Sequence, residues 1–455
     1  MTIVDRTQGR ASAQSTRPTS PGSTTSPQTA PPGTASPGTP SPGTASPRRA
    51  SPGASGASSP RMASSAMSSA RTASSSNAYR DEQSLTVAGA WREGDPVGHR
   101  RFVAVGDIAL ERGGVLPQVQ AAYETWGRLN EHGDNAVLVE HALTGDSHVE
   151  GPADGAHPSP GWWDGLIGPG RPLDTERWFV VASNVLGGCQ GTTGPASVAP
   201  DGRWWGSRFP FVTVRDQVAV EARLAVELGV TRWAAVLGGS MGGMRVLEWA
   251  VTHPERVDRA LVLASTAYAT ADQIAWAQPQ LLAIRSDPAF LGGDYYDEGN
   301  RFAGPERGMG IARRIAHVTY RSGTELDDRF GRVPQGLEDP LGGGGRYAVQ
   351  SYLDHHAAKL SRRFDANSYL VLTEAMNSHD VGRGRAGVAA ALRKVTAETT
   401  VVAVDSDRLY PVRLSDEISA AVPGARQHTI SSAFGHDGFL IEIEQVGAHI
   451  RDALR

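Results

Sequence analysis

The segment Ala235-Val236-Leu237-Gly238-Gly239-Ser240-Met241-Gly242-Gly243-Met244-Arg245-Val246-Leu247-Glu248-Trp249 constrains this chain more than any other. A short apolar run suited to a strand passes through Gly-x-Ser-x-Gly straight into a helical pattern. A turn that sharp brings the backbones around it too close for side chains, so glycine stands two residues to either side of the serine. The turn exposes the serine hydroxyl at a helix N-terminus, where free N–H groups and the helix dipole favour an oxyanion on an attacked carbonyl. A Gly-rich turn with an incidental serine would not need both the strand before it and the helix after it.

Such a strand-to-helix turn belongs in an α/β sheet, and the rest of the chain after Arg100 supplies one. Ala136 to Val139, Trp178 to Ala182, Ala234 to Leu237, Ala260 to Leu263 and Thr400 to Val404 are short runs that are apolar on both faces. Strands of that kind suit a mostly parallel sheet covered by helices on both sides. Helical stretches at Arg215 to Leu228 and Met244 to Thr252 lie between them, in the β-α-β rhythm. The rhythm fails from about Thr266 to Arg393, which predicts a mainly helical insertion, a lid, over the sheet edge. One last strand and a terminal helix near Glu442 to Ala453 are expected after it.

Before Arg100 the chain is of another kind. Residues 1 to 80 carry eight arginines, no lysine, one acid (Asp5) and 11 of the 29 prolines, and their aliphatic and aromatic residues are limited to Ile3, Val4 and Tyr79. Pro32-Gly33-Thr34-Ala35-Ser36-Pro37 recurs as Pro42 to Pro47. This composition cannot build a core, and residues 1–85 read as a disordered Ser/Pro/Gly/Ala-rich tail. An organellar transit peptide has a similar composition and is the alternative reading. Because the first 80 residues are net +7 in a chain of net charge −4, the remaining 375 carry −11. An acidic folded part argues against nucleic acid as a partner. No apolar run approaches the ~18 to 20 residues of a membrane span, which excludes a membrane-spanning role. The lone Cys189 excludes an internal disulfide and a cysteine-based zinc cluster. The chain therefore reads as intracellular.

A serine hydroxyl is a weak nucleophile, so a base and an orienting acid must follow it, in the order Ser, Asp, His on this architecture. Thr400 to Val404 runs into Asp405-Ser406-Asp407-Arg408-Leu409-Tyr410-Pro411, and Gly435-His436-Asp437-Gly438-Phe439 comes later. His436 is the expected base. Asp405 and Asp407 compete for the acid, with the later position in the loop favoured. His317, His355 and His379 fall in the insertion and read as structural or lid residues. The oxyanion donors are expected to be the backbone N–H of Met241 and that of Leu143 or Thr144, after the strand ending near His141. Gly342 to Gly345 lacks the ending of a phosphate loop, His355-His356 lacks metal-ligand companions, and no metal is called for.

His141 to His148, Gly161-Trp162-Trp163-Asp164-Gly165, Asn184 to Cys189, Thr193-Gly194-Pro195, Gly206 to Pro210, Gly239 to Gly243, Asn377 to Asp380 and Gly435 to Phe439 together resemble the homoserine O-acetyltransferase family, acyl-CoA-dependent enzymes of methionine biosynthesis. The resemblance covers residues 97–455 in one register, as one catalytic domain with the insertion at about 266–393, and leaves the tail out. It implies an α/β-hydrolase fold with a helical lid, in a cytoplasmic homodimer. Ser240, Asp407 and His436 match the family's triad, Asp407 partly through the Ser406 to Pro411 pattern. Arg313 and Asp437 match the pair that holds the amino acid, with Arg314 the near competitor for Arg313. A guanidinium for the carboxylate and an aspartate for the ammonium suit a zwitterion such as L-homoserine. The implied reaction transfers the acetyl group of acetyl-CoA, a co-substrate, through an acetyl-serine, with no resident cofactor. A succinyl-CoA donor, serine as acceptor, or a plain esterase or thioesterase are the alternatives.

Overall fold

The computed structural model describes residues 89–296 and 304–455, so the tail expected over residues 1–85 lies outside the described residues. The apolar runs named above become the middle of an eight-stranded sheet. Its strands are β1 (Arg101–Ala109), β2 (Val115–Trp126), β3 (Ala136–Glu140), β4 (Phe179–Ser183), β5 (Trp233–Gly239), β6 (Arg259–Leu263), β7 (Glu398–Val404) and β8 (Arg426–Ile430). They lie in the order β1-β2-β4-β3-β5-β6-β7-β8. From β4 to β8 every pairing is parallel, whereas β2 runs antiparallel to both β1 and β4. The sheet is covered on both sides, as a strand apolar on both faces requires. Ala136 and Leu138 of β3 enter one core with Val236 and Trp249, while Val137 and Val139 enter another with Leu237 and Phe439. Each fully buried Val or Leu here contributes roughly 1.5–3 kcal/mol.

On the first face lie α1 (Val214–Glu227) and α2 (Met241–Thr252). Helix α1 starts at a capping box in which Thr213 accepts from the Asp216 N–H and Asp216 answers to the Thr213 N–H. Between β6 and β7 the chain builds α3 (Ala271–Arg285), α4 (Glu306–Tyr320), α5 (Gly323–Phe330), α6 (Ala348–Ser361), α7 (Ala366–Asn377) and α8 (Val388–Leu392). Helices α3 and α4 pack together, and α4 packs on α6. Helix α9 (Val412–Ala421) leads from β7 to β8, and α10 (Gly438–Ile441) and α11 (Ile443–Ala453) close the chain, with Val446 and Ile450 of α11 under the second face.

Three features differ from the sequence reading. Two strands, not one, follow the insertion, because β8 is an edge strand whose Arg426, His428 and Thr429 are exposed and carry no apolar signal. The hairpin β1–β2, irregular at Gly106, was not foreseen. Packing also begins before residue 97: Ala90 is buried, and the Trp91 N–H bonds the Cys189 carbonyl at 2.9 Å.

Candidate active site

Ser240 stands between β5 and α2 with φ 57° and ψ −124°, a conformation that costs a non-glycine residue about 1–3 kcal/mol. Two contacts hold it there: its N–H bonds the Leu263 carbonyl at 3.0 Å, and the Ser265 hydroxyl donates to its carbonyl at 2.7 Å. The flanking glycines are explained by β3. A Cβ on Gly238 would lie 2.7 Å from the Glu140 carbonyl oxygen, and one on Gly242 would overlap the same atom outright. Beneath the turn, the fully buried Arg245 bridges Glu140 at 2.7 Å and Glu221 at 2.8 Å and donates to the His141 carbonyl at 2.6 Å. Burial, with Glu221 alongside, pushes Glu140 well above the usual carboxylate range.

The loops at the C-terminal ends of β5, β7 and β8 converge. His436 Nε2 lies 2.9 Å from Ser240 Oγ, and His436 Nδ1 lies 2.6 Å from Asp407 Oδ2. Asp407 Oδ1 accepts from the Leu409 and Tyr410 N–H groups at 2.8 Å each. All three side chains are buried. Asp405, the competing acid, is exposed and instead accepts from the Ser432 N–H at 3.0 Å. The His436 ring is boxed by Tyr410, stacked at 4.8 Å, by the edge of Phe439 at 5.4 Å and by Tyr320 of α4 at 5.9 Å.

A cavity of about 60 Å³ lies against Ser240, lined by Leu143, Met244, Trp276, Tyr320 and Tyr410. Neither the Met241 nor the Leu143 N–H has a backbone or side-chain acceptor among the described residues. His141 fixes the loop that carries Leu143: its Nδ1–H donates to the Ala142 carbonyl at 2.8 Å and its Nε2 accepts from the Val185 N–H at 3.1 Å. Burial, helped by Arg245, lowers its pKa to about 3, so the ring stays neutral.

A second cavity, of about 460 Å³, is lined by Arg313 and Asp437 among others. Arg313 and Tyr320 lie seven residues apart on one face of α4, with the guanidinium 5.3 Å from the Tyr320 ring centre. Its Nε is buried without a hydrogen-bond partner among the described residues. Arg314, the competitor, is committed elsewhere, gripping Asp354 through Nε and Nη2 at 2.9 and 2.7 Å. Burial raises the pKa of Asp437, against the charges of Arg313, His436 and Arg321. Arg321 lies 3.6 Å from Asp437 and 2.8 Å from Glu325. The sequence held no signal for Arg321 or for the ring box, since both come from elements far apart along the chain.

The sequence reading also missed a buried set of Glu124, His148 and His157 beside the larger cavity. The two rings stack at 3.8 Å and 9°. An ion in the plane of one ring would sit out of plane for the other, a poor arrangement for a metal. The contacts are those of a proton-holding network. His148 Nε2 donates to the Pro152 carbonyl and Nδ1 faces Glu124 at 3.3 Å. Burial opposes the His148 charge, but Glu124 outweighs it and raises the pKa, while burial and Arg100 lower that of His157. Cys189 is buried, which pushes its thiol pKa up.

Comparison with known proteins bears on the fold and the family. Residues 135–442 match the family model of the alpha/beta hydrolase fold. Over 372 residues the chain is 65% identical to homoserine O-acetyltransferase of Thermobifida fusca, covering 81% of this chain and 97% of that one. The Mycolicibacterium smegmatis enzyme of the same name is 55% identical over 354 residues, 78% of this chain and 92% of the relative. Among solved structures, homoserine O-acetyltransferase from Bacillus anthracis superposes with TM-score 0.71 at 27% identity, covering 78% of this chain and 97% of that chain. Esterase E22 does so with TM-score 0.71 at 26% identity, covering 78% and 99%. A scaffold shared with an esterase leaves the acceptor to be argued from the cavity, but identity this high over nearly the whole length of the relatives decides the family: this chain belongs to the homoserine O-acetyltransferases of the α/β-hydrolase fold.

Proposed function

We propose that the chain transfers the acetyl group of acetyl-CoA to the hydroxyl of L-homoserine through an acetyl-Ser240 intermediate, opening methionine biosynthesis from homoserine. The observation that carries the reading is one cavity lined by both Arg313 and Asp437, the latter the residue directly after His436. A plain esterase has no use for a cation and an anion lining one cavity, as an amino-acid zwitterion would require. Arg313 takes the carboxylate, Asp437 the ammonium, and the side-chain hydroxyl reaches toward His436.

In the first half-reaction His436 takes the Ser240 proton while Asp407 holds the imidazole tautomer. Oγ attacks the thioester carbon, the C–S bond breaks, and the proton passes to the leaving thiolate. The Met241 and Leu143 N–H groups hold the oxyanion, each worth about 3 kcal/mol of barrier. In the second, His436 takes the homoserine hydroxyl proton, the new C–O bond forms, and the proton returns to Ser240 Oγ. The sequence is ping-pong. The ~60 Å³ space against Ser240 suits a two-carbon acyl group better than a succinyl chain with its carboxylate. The insertion between β6 and β7 serves as the lid that keeps water from the acyl-enzyme. The reaction consumes acetyl-CoA as co-substrate and calls on no resident cofactor or metal.

The reading includes a homodimer in the cytoplasm. Ile274 and Leu282 of α3 are exposed apolar residues suited to burial against a second copy, and none of the described helices is long and apolar enough to cross a membrane. The decisive experiment follows CoA release from acetyl-CoA or succinyl-CoA with homoserine or serine. The expected result is fast release with acetyl-CoA that depends on homoserine, with parallel initial-rate lines, and its loss in Ser240→Ala. Release that ignores the amino acid would make the protein a thioesterase.

A further inference from the structure

We propose that Lys359 and Arg363 are the seat for the phosphate groups of the acyl donor, a proposal that rests on the acyl-CoA reading above. Both line the 460 Å³ cavity that also holds Arg313 and Asp437. Lys359 is exposed in the last turn of α6, and Arg363 is half-buried just beyond the helix end.

The cations around this cavity differ in how they are balanced. Arg314 has Asp354 at 2.7 Å, Arg321 has Glu325 at 2.8 Å, and His148 has Glu124 at 3.3 Å. Arg313 acts electrostatically on Asp437, and the two are matched by the zwitterionic acceptor. Lys359 and Arg363 have no carboxylate at ion-pair distance among the described residues. Asp146, on the cavity wall, is the acid that acts most on Arg363, without reaching it. Partial desolvation first, then the charges of Arg363 and Arg313, lower the Lys359 pKa, so like charges face one another in this cluster. A basic residue in the last turn of a helix complements the dipole, but that role is served equally well by a side chain directed into solvent.

The acceptor leaves nothing for these two groups, since its single carboxylate and single ammonium are matched by Arg313 and Asp437. The donor does: acyl-CoA is a polyanion whose phosphates lie at the far end of a long arm from the thioester. The 375 residues after the first 80 carry net −11, so the overall field repels such a ligand and local cations must hold it. Lys359 is one of two lysines in the whole chain. A lysine supplies a point charge and an arginine a two-pronged donor, a pairing that suits phosphate oxygens.

The test compares acetyl-CoA with S-acetyl-pantetheine, which presents the same thioester without the nucleotide phosphates. In the double variant Lys359→Ala/Arg363→Ala, KM for acetyl-CoA should rise about tenfold or more, while kcat/KM for S-acetyl-pantetheine and KM for homoserine stay within twofold. Lys359→Arg and Arg363→Lys should retain most of the affinity, and the rise of KM with ionic strength should flatten in the double variant. Equal losses with both donors, or a rise in KM for homoserine instead, would overturn the proposal. Calorimetry reads the same point without turnover: unmodified protein should bind CoA more tightly than pantetheine, and the double variant should lose that difference. An unchanged difference refutes the seat even where transfer proceeds, whereas failure of the transferase reading would appear as absence of homoserine-dependent CoA release in the unmodified protein.

Discussion

Asp407 has no spare hydrogen-bonding capacity on one side: Oδ1 is occupied by two backbone N–H groups, so Oδ2 alone meets His436, at 2.6 Å. That arrangement dictates which imidazole nitrogen carries the proton. In Asp407→Asn the amide favours the tautomer protonated on Nε2, which points a hydrogen at Ser240 and cannot accept one. The expected loss in kcat is about 10⁴-fold with the thermal midpoint nearly unchanged, checked by CoA release beside a circular-dichroism melt. Ser240 and His436 were legible because each lies in a glycine-flanked loop at a position the topology requires. The acid was not decided by the residues alone. Asp405 and Asp407 follow the same strand two positions apart, and what separates them is tertiary: Asp405 caps the loop after β8, while Asp407 turns inward. Tyr410 stood in the quoted motif, yet its stack on His436 depends on how the β7 and β8 loops cross.

The elbow between β5 and α2 depends on its neighbour β3 as much as on its own residues. Glu140 is the last residue of β3, and β3 is hydrogen-bonded on both sides, to β4 and β5, so its carbonyl has nowhere to retreat. Gly242→Ala should therefore cost about 3 kcal/mol of stability, read as a lowered urea midpoint at unchanged slope. A midpoint within a few tenths of a kcal/mol of the parent would show that the turn can relax. Central strands announced themselves through apolar runs because both faces are buried. The outer strand β8 did not, since only Ile430 of it is buried. The insertion showed itself as a break in rhythm, but its internal order, with α4 against both α3 and α6, rests on contacts that a single sequence does not display.

Over the whole molecule, buried neutral histidines set the response to acid. His141 and His379 have pKa values lowered to about 3 and about 4, chiefly by burial, against 6.5 when unfolded. The unfolded chain binds protons that the folded chain refuses, so the stability they provide is present above pH 6.5 and is lost as pH falls toward 4 and 3. Each contributes up to roughly 1.4 kcal/mol per pH unit in that window. His148 opposes them, since its raised pKa favours the folded state in acid. Urea midpoints should fall from pH 7 to pH 5, and a midpoint that rises would contradict the assignment. One tertiary feature reaches further. Helix α4 and the residues after it are fastened to both catalytic loops: Arg408 donates to the Val318 carbonyl, the Ser322 hydroxyl donates to Ala433 at 2.5 Å, and Arg321 meets Asp437. A covering tied in this way cannot swing aside without taking the acid and base with it. Under the proposed reaction, ligands would then come and go beneath a fixed roof, not through a hinge that opens.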